Sequence, residues 1–255
     1  MPLQVHQFPC RSDNYGYLVH DPATGQTAAI DTPESAAVFE ALEHKGWNLS
    51  HILNTHHHYD HVEGNLELKE KTGCTIIAGA LDGEKIPGID RSVSEGELVS
   101  LGEHSARVLE TPGHTLGHVV YHFEDSAMIF TGDTLFSLGC GRLFEGSAAQ
   151  MWNSLQKLMV LPRETRIYCA HEYTLANADF ALHLEPGNLN LQHMSRRARK
   201  LQDEGRPTIP TTLGEECEAN PFLRPHSMEI RQKLGLPEAR NVDVFAQIRR
   251  EKDQF

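Results

Sequence analysis

Four segments of the chain, far apart in sequence, each place a metal-ligand side chain directly after a short apolar run. The first is HILNTHHHYDH, in which residues 55–61 hold four histidines and an aspartate; the others are ARVLETPGH, AMIFTGD and RIYCAH. Each apolar run is typical of a buried strand. Because α/β folds build their sites at one rim of the sheet, the pattern predicts an α/β fold that carries a metal site on that rim.

These segments supply seven candidate ligands: His56, His58, Asp60, His61, His114, Asp133 and His171. His56, His58 and Asp60 alternate along an extended loop and can point the same way, whereas the same alternation turns the histidine at position 57 away. Seven groups are too many for one tetrahedral zinc ion. If Asp133 gives one oxygen to each of two ions, each ion receives four protein ligands. We therefore expect two divalent metal ions per chain, with Zn(II) as first choice and Fe(II) or Mn(II) as alternatives that suit imidazole and carboxylate equally.

The first two-thirds of the sequence alternates short strands with helices. The pattern predicts a helix over 33–47 and a second over 147–162, with Ser147 as its N-cap and Pro162 beyond its end. This alternation continues to about Tyr173 and is typical of one α/β domain.

The sequence pattern changes after Tyr173. Residues 175–205 read as helical, 206–225 as turn-rich, and 241–255 as one more helix. We therefore expect a mixed α/β domain over 1–172 and a smaller helical domain over 173–255.

The bulk composition excludes several classes of function. A net charge of −12 argues against general binding of nucleic acid or anionic membranes. No apolar run approaches the roughly 20 residues of a membrane span, and the first residues do not resemble a signal peptide. The five cysteines are widely spaced and form no CxxC, which favours reduced thiols. We expect a cytoplasmic monomer whose partner is a small-molecule substrate.

Beyond spacing, the motifs THHHYDH, TPGHTLGH, TGDTLF and CAHEYT resemble those of the metallo-β-lactamase superfamily. The resemblance implies that 1–172 is a metallo-β-lactamase-like catalytic domain, an αββα sandwich with a metal site on its edge, and that 173–255 is a C-terminal helical substrate-binding domain. More specifically, GDTLFSLGCGRLFEG, AHEYTLAN, NPFLR and the terminal RREKDQF resemble glyoxalase II, the hydroxyacylglutathione hydrolases. This likeness implies that His56, His58 and His114 bind one metal and that Asp60, His61 and His171 bind the other. Asp133 would bridge the two.

The resemblance implies hydrolysis of S-(2-hydroxyacyl)glutathione thioesters, such as S-D-lactoylglutathione, to glutathione and D-lactate, a step in methylglyoxal detoxification. Two cations that share one water lower its pKa from near 16 toward about 7, so a metal-bridging hydroxide would attack the thioester carbonyl. A thiolate with a pKa of about 8.5 leaves readily. Asp60 and Asp133 would be catalytic chiefly through their role as ligands.

The family's glutathione-binding residues match four positions of this chain, and a fifth position differs: Arg142, Tyr173, Arg249 and Lys252 match, and Phe144 stands where the family often has tyrosine. Arg249 and Lys252 lie at i and i+3 and so share one face of the last predicted helix. Arg142 replaces a lysine found in other members, and Glu63 replaces a small residue. These departures concern substrate affinity rather than the chemistry.

Several alternatives use the same residues differently. Lactonases, β-lactamases, other thioesterases and RNA-processing nucleases share the metal motif, but a lactonase leaves RREKDQF unexplained and a nuclease conflicts with the acidity. A persulfide dioxygenase with one iron needs fewer ligands. Cys169, two residues before His171, and Cys140 offer a cysteine–histidine hydrolase. A metal-binding regulatory or storage protein would keep the ligands without turnover.

Overall fold

The computed structural model describes all 255 residues, which form two compact units of mixed sheet and helix. The first unit comprises residues 1–110 and 116–132, and the second comprises 111–115 and 133–255. None of the helices combines the length and the apolar character that a membrane span requires.

A six-stranded sheet forms one layer of the first unit. Its strands follow each other in chain order: β1 (Gln4–Cys10), β2 (Asn14–His20), β3 (Gln26–Ile30), β4 (Asn48–Asn54), β5 (Thr75–Gly79) and β6 (Arg91–Val93). The first three strands are antiparallel and the rest are parallel. Parallel neighbours need a crossover, and here helices supply it.

Three helices belong to this layer: α1 (Ser35–Lys45), α2 (Tyr59–Val62) and α3 (Asn65–Thr72). Gly46 ends α1 in the left-handed conformation, with φ 67°, which a residue without a Cβ adopts without strain. Val38 of α1 and Leu68 of α3 are fully buried in one cluster with Leu18, Ile52 and other residues of the sheet. This apolar packing fixes the end of β4, from which the histidine motif departs.

A four-stranded antiparallel meander completes the first unit: β7 (Leu98–Leu101), β8 (His104–Glu110), β9 (Val119–Phe123) and β10 (Met128–Gly132). It packs on the six-stranded sheet: the Tyr121 hydroxyl of β9 donates to the carbonyl of Asn54, at the end of β4, at 2.9 Å. The rings of Tyr17 and Phe130 meet edge to face across the same interface, with centroids 5.5 Å apart. The unit is therefore a sandwich of two sheets.

The second unit contains two short strand pairs and six helices. The strands are β11 (Leu135–Phe136) with β12 (Gly139–Cys140), and β13 (Arg166–Cys169) with β14 (Thr211–Thr212), and both pairs are antiparallel. The helices are α4 (Ala148–Met159), α5 (Thr174–Leu184), α6 (Leu189–Asp203), α7 (Leu213–Ala219), α8 (Met228–Lys233) and α9 (Asn241–Gln254). Aromatic contacts of Phe245 with Trp152 and Phe222 join α9 to the remainder of the unit.

The local predictions succeed where the sequence carries a clear period and a cap. Helix α4 begins after Ser147, the N-cap that the sequence predicted, and the Ser147 side chain accepts from the Gln150 amide in a capping box. Helices α1 and α9 lie inside their predicted ranges. The turn-rich prediction for 206–225 was wrong in part, since this stretch contains β14 and α7.

Candidate metal centre and substrate pocket

The histidine motif of the first unit presents its ligand atoms in two pairs. The loop after β4 brings His56 Nε2 to 3.0 Å from His58 Nδ1. The first turn of α2 brings His61 Nε2 to 3.5 Å from Asp60 Oδ2. Two atoms bound to one tetrahedral metal at about 2.05 Å are roughly 3.3 Å apart. Each pair therefore has the spacing of two ligands on a shared ion.

Buried polar partners orient this motif. The Asp31 carboxylate lies 2.8 Å from His61 Nδ1, so Nδ1 of that ring donates to it and Nε2 is the ligand atom. The same carboxylate accepts from the Thr55 amide at 2.7 Å. The Asn14 amide group donates to the Asp60 carbonyl at 3.2 Å and to Oδ2 at 3.1 Å. Sequence patterns did not reveal Asp31 or Asn14, which act through the loop they hold.

The histidine at position 57 behaves differently from its neighbours. Its Nδ1 lies 2.8 Å from Oδ2 of Asp82, a carboxylate that is buried. This contact is the orientation that alternation along the loop predicted, and it anchors the middle of the motif to the segment after β5.

The three candidate ligands of the second unit lie side by side. Asp133 Oδ2 lies 3.3 Å from His114 Nε2, and Asp133 Oδ1 lies 3.4 Å from His171 Nε2. A carboxylate with a different imidazole beside each oxygen has the arrangement of a bridge between two ions. His114 Nδ1 is 2.8 Å from the Arg142 carbonyl and donates to it, which leaves Nε2 as the ligand atom.

The donor set fits a divalent metal of the zinc or iron type. It consists of imidazole nitrogens and carboxylate oxygens without thiolate, and His61 and His114 carry the outward hydrogen bonds that metal-binding histidines usually have. The histidine–aspartate clusters therefore indicate divalent-metal binding.

The cysteines do not form an alternative catalytic centre. Burial raises the pKa of the Cys140 thiol to about 11 and that of Cys169 to about 12. Both groups are therefore neutral thiols at pH 7, and only the thiolate is an effective nucleophile. They pack as small apolar side chains, which argues against the cysteine–histidine mechanism.

A cavity of about 510 Å³ opens within the second unit. Its wall includes two candidate metal ligands and all five residues assigned to the substrate by resemblance: His114, Asp133, Arg142, Phe144, Tyr173, Arg249 and Lys252. The volume falls in the usual range for a small-molecule site, roughly 300–1,000 Å³. The structure thus brings a proposed reaction centre and the proposed binding residues onto one cavity.

Two cations of α9 enter this wall in different ways. Arg249 is only 6% exposed, and its Nη1 donates to the Cys140 carbonyl at 2.8 Å, so it fixes strand β12 as well as lining the cavity. Lys252 donates to the Ala176 carbonyl at 3.1 Å. Desolvation, followed by repulsion from Arg249, lowers the pKa of Lys252, which indicates a cation held in a positive environment where an anionic ligand would relieve the repulsion.

Aromatic rings complete the wall. The Tyr173 ring stacks on His171 at a centroid distance of 4.8 Å and an interplanar angle of 1°. Phe144 is exposed and meets His114 edge to face at 5.2 Å. Two further lining residues, Asp253 and Phe255, were missed in the sequence, although Asp253 lies four residues after Arg249 and so shares its helix face.

Comparisons with known proteins cover the whole chain. Residues 16–171 match the metallo-beta-lactamase superfamily, and residues 172–255 match the family described as hydroxyacylglutathione hydrolase C-terminus. A hydroxyacylglutathione hydrolase of Methylococcus capsulatus is 57% identical over 99% of both chains. The crystal structure of ETHE1 from Myxococcus xanthus is 27% identical, with a TM-score of 0.67 over 99% of this chain and 98% of that one.

A second solved structure, that of TTHA1623 in a di-iron-bound form, is 26% identical with a TM-score of 0.61, over 82% of this chain and 95% of that chain. These matches confirm the metallo-β-lactamase fold with a C-terminal helical region that the motifs predicted. A relative that is more than half identical over nearly the full length of both chains indicates a shared family and not only a shared fold. On this evidence the chain belongs to the hydroxyacylglutathione hydrolase (glyoxalase II) family of the metallo-β-lactamase superfamily.

Proposed function

We propose that the protein is a thioester hydrolase that cleaves S-(2-hydroxyacyl)glutathione, such as S-D-lactoylglutathione, to glutathione and a 2-hydroxy acid. The observation that carries the proposal is the cavity of the second unit, whose wall combines His114 and Asp133 with three cations. A glutathione thioester carries two carboxylates, which need cationic partners, and one thioester carbonyl, which needs a hydrolytic centre. The match to hydroxyacylglutathione hydrolases over the full chain supports the same substrate class.

We further propose two divalent ions per chain, Zn(II) first and Fe(II) or Mn(II) as alternatives. We assign His56, His58 and His114 to one ion, and Asp60, His61 and His171 to the other. Asp133 is assigned to both. The paired spacings in the first unit and the two-sided contacts of Asp133 support this assignment. When bound, such ions polarise a carbonyl and lower the pKa of a shared water to about 7.

The side chains of this protein then have defined tasks. Asp31 and the Arg142 carbonyl hold the rings of His61 and His114 in one tautomer, and Asn14 restrains the Asp60 carboxylate. The departing glutathione sulfur has a thiol pKa of about 8.5 and needs no protonated side chain to leave. A metal-activated water would supply the nucleophile, so no nucleophilic side chain is required, which agrees with the neutral, buried thiols of Cys140 and Cys169.

Substrate recognition follows from charge. The exposed guanidinium of Arg142 and the ammonium of Lys252 face the cavity as partners for the substrate's carboxylates. Arg249 contributes positive charge but is engaged with the Cys140 carbonyl, so its first role is to hold the wall. Tyr173 and Phe144 add flat apolar surface. The cytoplasmic location, the monomeric state and the domain boundary at 172/173 stay predictions.

The test is hydrolysis of S-D-lactoylglutathione by metal-loaded protein, followed as loss of thioester absorbance. Asp133→Ala should lose bound metal, measured by elemental analysis, and should lose turnover. Lys252→Ala should raise KM by roughly tenfold with little change in kcat, because it removes a charge contact made before and during reaction. Arg250→Ala is the matched control, since this neighbour on α9 is exposed and pairs with Gln247. Wild-type protein that carries two metals but cleaves no glutathione thioester would refute the proposed function.

A further inference from the structure

The cavity of the second unit contains one carboxylate that the proposed metal centre does not use. Asp253 lies on α9, four residues after Arg249, and its Oδ1 is 3.0 Å from Arg249 Nη2. The same oxygen is 3.4 Å from Nε of Arg142, which comes from the loop after β12. Asp253 is thus fixed by two cations from different elements, at the wall of the cavity.

The two arginine contacts do not use the full hydrogen-bond acceptor capacity of the Asp253 carboxylate. A carboxylate accepts up to about four hydrogen bonds, and both guanidinium contacts fall on Oδ1. The Asp253 side chain lines the cavity and is 36% exposed, so a ligand can approach it, whereas the Arg249 side chain is 8% exposed. An acid that served only as a helix partner for Arg249 would not need a place on the cavity wall or a second cation.

The charges of the wall are complementary to those of a glutathione thioester. Besides Asp133, the lining side chains present three cations, Arg142, Arg249 and Lys252, and the single carboxylate of Asp253. The γ-glutamyl end of glutathione carries an ammonium group beside one of its two carboxylates. A wall built only of cations would attract both carboxylates but would repel that ammonium.

We propose that Asp253 is a specificity-determining residue that receives the α-ammonium group of the γ-glutamyl residue, while the adjacent arginines and lysine attract the carboxylates. This inference rests on the proposed glutathione-thioester substrate. Charge-assisted hydrogen bonds are the stronger kind, but Asp253 is partly exposed and solvent weakens the contact. We therefore expect the ammonium to improve binding by roughly tenfold, near the lower end for hydrogen bonds to charged groups.

The test compares ligands with and without the positive charge. Affinities of the metal-loaded protein for S-methylglutathione and for N-acetyl-S-methylglutathione are measured by calorimetry, and kcat/KM is measured for S-D-lactoylglutathione and its N-acetyl derivative. Wild-type protein should prefer the free amine by roughly tenfold in both assays. Asp253→Asn, which keeps the size of the side chain, should lose that preference. Glu251→Gln is the matched control, because this neighbour on α9 is exposed and pairs with Gln247.

Each outcome separates the inference from the proposed function. If Asp253→Asn weakens both ligands equally and keeps the preference, Asp253 only orients the arginines and the inference is wrong, while the hydrolase proposal stands. A wild-type protein that shows no preference for the free amine would overturn the inference in the same way. If the wild type cleaves no thioester but binds S-methylglutathione with the preference, the hydrolase proposal fails and the ammonium site stands. Circular dichroism and metal content verify that the variants are folded and loaded.

Discussion

The buried carboxyl of Glu216 should make the stability of the protein depend on pH. Glu216 lies in α7 with no exposed surface. Its oxygens accept hydrogen bonds from the Leu138 amide at 2.8 Å, the Thr211 hydroxyl at 2.8 Å and the Asn220 amide group at 3.0 Å. Burial outweighs these donors and raises the pKa of Glu216 to about 7.

The sign and size of the effect follow from that shift. The ordinary pKa of the group is 4.5, so between pH 4.5 and 7 the folded state holds a proton that the unfolded state has released. The contribution of Glu216 to stability is therefore complete below pH 4.5 and declines as the pH rises through 7. Integrated from pH 5 to pH 8, the loss is roughly 2.5 kcal/mol, and because the group is fully buried, solvent does not screen it.

Glu216→Gln isolates this term. The amide oxygen can accept from the Leu138 amide and from Asn220, and the amide nitrogen can donate to the Thr211 hydroxyl, which rotates to accept. The variant should gain stability relative to wild type by roughly 2.5 kcal/mol between pH 5 and pH 8. Urea unfolding at a series of pH values, at matched metal content, measures the difference, in which the protonation of the common metal ligands cancels.

Glu215→Gln provides the opposite control at the adjacent position. Although desolvation opposes the shift, hydrogen bonds with Arg197 and the Thr212 amide prevail and lower the pKa of Glu215. Wild type should therefore lose its advantage over this variant as the pH falls. A Glu216→Gln difference that stays flat within about 0.5 kcal/mol from pH 5 to pH 8 would refute the reasoning.

Three further predictions concern the centre itself. The double variant Cys140→Ala, Cys169→Ala should keep turnover within a few-fold, since both thiols are neutral; loss of turnover with metal and fold intact would contradict this. Asn14→Ala should weaken the binding of one ion of two by about 10-fold to 100-fold, because it releases the Asp60 carboxylate, and metal titration with a chromophoric chelator measures this. Asp31→Asn should weaken metal binding by a similar factor, because Asp31 orients His61. Unchanged metal affinity would show that His61 is held by packing alone.

Local patterns in the sequence predicted the parts of the site that depend on strand ends and on alternation. The loop after β4 holds His56 and His58 as alternation predicted, and Asp133 follows directly after β10. The prediction was wrong for Asp60, which lies in helix α2 and not in an extended loop, because the chain turns into that helix at Tyr59. The capping box at Thr212 and Glu215 was also readable, as a threonine three residues before a glutamate, and attention to it would have predicted α7. The prolines on both sides of this short helix favour turns, and they mask its period in the sequence.

The residues that orient the ligands carry no comparable signal. Asn14 is 46 residues from Asp60, and Glu216 is 78 residues from Leu138. Contacts at such separations depend on tertiary packing, which no period or cap encodes. Asp31 follows β3 like an ordinary turn residue, and only its buried hydrogen bonds to the loop of the histidine motif distinguish it.

The segment from Asp133 to Arg142 shows why metal and substrate sites should respond together to mutation. It begins with a proposed bridging ligand and ends with the carbonyl that orients His114. Between them, Glu216 holds the Leu138 amide and Arg249 holds the Cys140 carbonyl. Residues of the same segment line the cavity. A change that loosens this hairpin therefore moves a ligand, the orientation of a second ligand and the substrate wall at once, so its effects on metal affinity and KM should be coupled, whereas changes at Lys252 or Asp253 should affect KM alone.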